Sequence, residues 1–77
     1  MYLAAAANVL TPAYLAIVSK GYSVSRVGDD IVAERESDRF VAEDPIQLLG
    51  LIALIEIRGE AWQATDDEIE DFTSRFA

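Results

Sequence analysis

Residues Tyr22–Glu43 read YSVSRVGDDIVAERESDRFVAE, and in this stretch the spacing of apolar side chains changes from helical to alternating. Three strands follow from it: Tyr22–Val27, Asp30–Glu36 and Arg39–Glu43. Gly28-Asp29 has the composition of a two-residue hairpin turn, and Ser37-Asp38 is read as the second turn. The first turn sets Val24 opposite Ala33 and Arg26 opposite Ile31. The second, so placed, sets Arg35 opposite Phe40 and Ala33 opposite Ala42. Both registers collect Tyr22, Val24, Ile31, Ala33, Phe40 and Ala42 on one face. The other face takes Ser23, Ser25, Asp30, Glu34, Glu36, Arg39 and Glu43, with Val27, Val32 and Val41 as exceptions. Two turns that agree on one apolar side specify an antiparallel meander with one wet face. On that wet face Glu36 and Arg39 are expected to form a cross-strand ion pair.

Helices flank the meander on both sides. Thr11-Pro12 reads as cap and first residue of a helix over Ala13–Lys20, closed by Gly21. Tyr2–Val9, with alanine at four successive positions, reads as a short helix of its own or as the first arm of one kinked helix. On the C-terminal side, Asp44-Pro45 opens a helix that runs to Arg58 and stops at Gly59. This is the most apolar element, with Leu48, Leu49, Leu51, Ile52, Leu54 and Ile55 among its residues, so it is expected to be the core helix on the sheet. Thr65 and Glu68 are spaced as a capping box for a last helix, Asp66–Phe76, with Ile69, Phe72 and Phe76 on one face and acids in its first turn. The expected architecture is a single α+β domain over residues 1–77: an N-terminal helical segment, a three-stranded antiparallel meander, an apolar core helix and an amphipathic acidic C-terminal helix.

Composition narrows the function. The chain has 77 residues, 52% of them apolar, with 14 acids, six bases, a net charge of -8, and neither His nor Cys. Lacking Cys, it has no disulfide, thiolate metal site or thiol nucleophile. Lacking His, it has neither the commonest general base nor the commonest metal ligand. Lys20 is the single lysine, and no glycine-rich phosphate loop or nucleophile elbow occurs. A non-enzymatic protein without cofactor or metal is expected. The scattered bases Lys20, Arg26, Arg35, Arg39, Arg58 and Arg75 form no patch for nucleic acid or an anionic membrane. The apolar N-terminus has no basic start and is interrupted by Asn8, Thr11 and Pro12, which fits neither a signal peptide nor a membrane span. A cytoplasmic location is the expectation, in keeping with the absence of Cys.

A few residues stand out as candidates for function. Glu56 falls on the wheel between Leu49 and Ile52, inside the apolar arc. A carboxylate there would have a raised pKa or would need an arginine; Arg35 or Arg26, on the inner sheet face, is the expected partner in a buried ion pair, unless the side chain reaches water at the helix end. An open Glu56–Arg cleft would instead bind a small ligand. The run Asp66–Asp71 holds five acids, and Asp67, Glu70 and Asp71 are candidate contacts for a basic partner. The run lacks the alternating oxygen ligands and central glycine of a calcium loop. Leu51 and Leu54 flank the polar edge of the core helix and need a second cover: the N-terminal helix, the C-terminal helix through Phe72 and Phe76, or another copy of the chain. Trp62 either lids the core or anchors a contact.

The order helix, three antiparallel strands, helix is similar to that of the double-stranded RNA-binding domain. The resemblance is one of element order. At the start of the second helix, where such a domain carries a basic cluster, this chain has Asp44-Pro45-Ile46-Gln47, so no binding residues carry over. The sequence points first to a protein–protein interaction or homo-oligomerising module, a homodimer by preference. The alternatives are an acidic inhibitor that occupies a basic protein surface and, third, a small-ligand binder built on Glu56.

Overall fold

The computed structural model describes all 77 residues. Seven elements follow one another: α1 (Leu10–Ser19), β1 (Ser23–Val27), β2 (Asp30–Arg35), β3 (Asp38–Ala42), α2 (Pro45–Arg58), a single 3-10 turn (Gly59–Ala61) and α3 (Asp66–Phe76). The sheet is antiparallel in the order β1-β2-β3. Helices α1 and α2 lie together across one face of it. The α+β architecture is therefore the one expected from the alternating stretch and its flanks.

The first hairpin has the expected register, Val24 against Ala33 and Arg26 against Ile31. Gly28 supplies the turn with a φ of +63°, a conformation that costs glycine nothing. The second hairpin corrects the expected register. Its loop is Glu36-Ser37 rather than Ser37-Asp38, so Ala33 faces Phe40, Ile31 faces Ala42 and Arg35 faces Asp38. Glu36 takes a φ of +56° to make the turn, a strain of about 1–2 kcal/mol for a residue with a Cβ. The shift moves each pairing by two residues and therefore leaves the faces unchanged. It does reassign the ion pair, because Arg39 now sits opposite Glu34, at 3.9 Å, and not opposite Glu36.

The inner face carries the core. Tyr22, Ala33 and Ala42 are buried there with Ile17 of α1 and Leu48 and Ile52 of α2, and Val24, Ile31, Phe40 and Leu49 pack around them half-buried. The Tyr22 and Phe40 rings meet edge to face at 6.0 Å. Val32, on the opposite face between Ser25 and Val41, is also buried; that face is less wet at its centre than the alternation suggested.

α2 begins as its sequence dictates. The Asp44 carboxylate accepts from the Gln47 backbone N–H at 2.9 Å, and Pro45 occupies the first turn. Gly59 closes it at a φ of +72°. α1 starts earlier than expected: Val9 is its N-cap, with no side-chain bond, and Thr11-Pro12 lie within the first turn. Pro12 still costs nothing there, since first-turn N–H groups have no intrahelical partner. The expected helix over Tyr2–Val9 is absent, and so is the long kinked alternative. The segment has no regular structure beyond one turn in which Ala7 N–H donates to Ala4 C=O at 3.0 Å. Four alanines favour helix, but eight residues cannot offset the cost of nucleation without tertiary support. No helix is long and apolar enough to cross a membrane.

Candidate functional site

Glu56 lies at the last full turn of α2, where the end of α1 arrives. Both of its carboxylate oxygens accept from Lys20 Nζ, at 3.0 Å. The expected buried pair of Glu56 with Arg35 is therefore not formed. Glu56 is exposed, its partner is a lysine, and an exposed pair of this kind contributes only about 0–1 kcal/mol. Arg35 is used elsewhere: it lies 4.3 Å from the centre of the Tyr22 ring, and its Nη1 donates to the Lys20 carbonyl at 2.7 Å. It thereby satisfies a carbonyl at the end of α1 that would otherwise lack a partner. The wheel places Glu56 inside the apolar arc, but at that turn of α2 the side chain is exposed. Lys20 was legible only as a C-terminal helix residue, and nothing in its spacing joined it to Glu56. Glu56 lines none of the four surface cavities, and no group of acids is placed to hold a metal ion.

Leu51, Leu54 and Trp62, by contrast, come together. With Phe40, Val41 and Ile55 they line a groove of about 250 Å³ between β3 and α2, and Arg39 lines it too. β3 is an edge strand, so the groove opens at the side of the molecule. Trp62 covers one end but remains 43% exposed. Arg58 holds that end in place through Nε, which donates to the Trp62 carbonyl at 2.9 Å. The groove is lined by apolar side chains, with Arg39 as its one charged residue. It lies beside the unpaired backbone groups of a strand edge, the setting in which a protein partner is ordinarily received.

α3 is the second feature. Its capping box is complete: Thr65 N–H donates to Glu68 Oε1 at 2.8 Å, and Glu68 N–H donates to Thr65 Oγ1 at 3.2 Å. The bond from the Thr65 backbone, and then that from its hydroxyl, hold the Glu68 carboxyl below its ordinary pKa; desolvation opposes them, and the charge of Arg58 adds the least. The folded value is depressed, so the stabilisation of α3 by this group is complete above the ordinary glutamate range. It is lost as pH falls through the lowered value. Acid titration followed by circular dichroism is expected to show α3 helicity falling below pH ~4, and Glu68→Gln is expected to remove that step. An unchanged profile in the variant would show that the cap is not its source.

Nothing packs on this well-made helix. Every residue of α3 is exposed, and its apolar stripe is open at Ile69 (52%), Phe72 (61%) and Phe76 (74%). Phe72 and Phe76 touch only each other, at 5.3 Å between ring centres. Asp67, Glu70 and Asp71 are exposed as expected; Asp71 pairs with Arg75 one turn on, at 3.0 Å. No protein family, curated protein sequence or solved structure matches this chain.

Proposed function

We propose that this chain is a non-enzymatic protein–protein interaction module of the cytoplasm that associates with copies of itself. The observation that carries the reading is surface in excess. The chain exposes 6126 Å², whereas a compact protein of 8.4 kDa exposes about 4,600 Å². Its radius of gyration is 14.4 Å, against about 11.5 Å for a compact 77-residue domain. The excess is roughly 1,500 Å², and large apolar side chains open to solvent include Ile69, Phe72 and Phe76 of α3 and Met1, Tyr2 and Leu3 of the N-terminal segment. A stable interface needs about 800 Å² from each partner, and monomers seldom expose contiguous apolar patches of more than a few hundred Å². The other expected partner, a basic protein held by Asp67, Glu70 and Asp71, does not account for the apolar side of the same helix.

Light scattering across concentration tests the reading. The expected mass is twice 8.4 kDa at micromolar concentration, passing to one chain on dilution. A mass fixed at a single chain up to high micromolar concentration overturns it. If that single chain instead captured a basic protein, with affinity falling steeply in salt, the inhibitor reading would take its place.

A further inference from the structure

We infer that the two copies exchange their last helices, α3 of each lying in the β3–α2 groove of the other. The inference rests on the self-association proposed above and adds which surfaces meet. Shape is the first reason. The groove is concave and takes a convex occupant, and an amphipathic helix laid in an apolar groove is a recurring mode of recognition. Two grooves set face to face would leave a void, with its loss of contacts. The stripe from Ile69 to Phe76 runs about 10 Å along its helix and offers two rings to a floor of Leu51, Leu54 and Trp62.

Charge is the second reason. α3 carries five acids and one base, so pairing it with its own twin would set like charges within the ~8–10 Å over which salt leaves them unscreened. The groove offers the opposite sign in Arg39, its one charged lining residue. Arg39 makes only the long contact with Glu34, at 3.9 Å between exposed side chains. The third reason is the free chain itself. The groove and the stripe both stand open in it, separated by the short connection Trp62–Thr65, so the helix is not seated in its own groove. Exchange of an identical element is a low-cost route to a two-fold dimer.

The chain has no cysteine, so introduced thiols report on themselves alone. Leu54→Cys and Phe72→Cys are purified separately, checked for native circular dichroism, mixed in equal amounts and oxidised in a glutathione buffer. The expected result is a disulfide between the two different variants, in several-fold excess over either homodisulfide. A majority of Leu54→Cys homodisulfide means groove-to-groove packing, a majority of Phe72→Cys homodisulfide means helix pairing, and either overturns the exchange. A chain carrying both substitutions is expected to run as a dimer on a non-reducing denaturing gel; a monomer with an internal disulfide means that α3 closes on its own groove and also overturns it. Phe72→Glu is expected to weaken self-association by roughly 30-fold or more, as for a central anchor. A doubled mass with no preferred heterodisulfide removes the exchange and leaves self-association standing, whereas a mass of one chain removes both.

Discussion

Ile52→Ala is expected to destabilise the fold by about 2–5 kcal/mol, because the position is fully buried and the neighbours that enclose it can collapse only partly. Ile52 shares the inner core with Ile17, Tyr22, Ala33, Ala42 and Leu48, so a cavity there faces both the sheet and α1. A 77-residue domain has about 4–12 kcal/mol of net stability, and the loss is a large share of it. At about 4–8 °C per kcal/mol for a domain of this size, the thermal midpoint should fall by about 8–40 °C at fixed protein concentration. Ile57→Ala is the internal control. It removes the same atoms from the same helix five residues on, but Ile57 is 82% exposed, and its expected effect lies within about 0.5 kcal/mol. Calorimetry of the two variants measures the difference. Equal shifts would mean that the α2 face buried in the domain is not the one through Leu48 and Ile52.

That face was legible because it obeys a simple period. Leu48 and Ile52 are four apart on α2, Ala13 and Ile17 are four apart on α1, and Tyr22 to Ala42 alternate by two along the strands. The turn at Gly28-Asp29 was legible for a different reason: a glycine at positive φ leaves a compositional mark. Glu36 leaves none. It adopts the same half of conformational space against its preference, so the second loop was read one residue late while the faces stayed right. The N-terminal segment failed from the opposite cause. Its alanines have strong local preference, and the tertiary contact needed to realise that preference is missing from most of Tyr2–Val9.

The candidate site divides in the same way. Leu51 and Leu54 were found as apolar residues on the wrong side of a helix, a property of one element. Their meeting with Phe40, Val41 and Trp62 in one groove joins a strand, a helix and a connection, and depends on β3 being the edge strand on the side of α2. The pairing of Glu56 with Lys20 spans 36 residues and depends on where two helices end relative to each other. No spacing rule within either helix encodes that distance.

Removal of α3 is expected to abolish self-association and leave the domain folded. Every buried residue lies between Ala13 and Ile52, and α3 contributes none, so a chain ending at Ala64 keeps the whole core. Its spectrum over the strands and α2 should be native, and its mass should stay that of one chain at every concentration. The full chain should behave differently on heating. Association stabilises the folded state by mass action, by about 2.7 kcal/mol at 100 times the dissociation constant, so its midpoint should fall on dilution while that of the shortened chain stays constant. The comparison separates the two roles a terminal helix can have. A shortened chain that unfolds would show α3 to be a support of the domain's own core, and one that still doubles its mass would place the interface on the groove or the N-terminal segment alone. A folded monomer with a concentration-independent midpoint, beside a full chain that doubles its mass, is the result expected if the cover of α3 is a second chain.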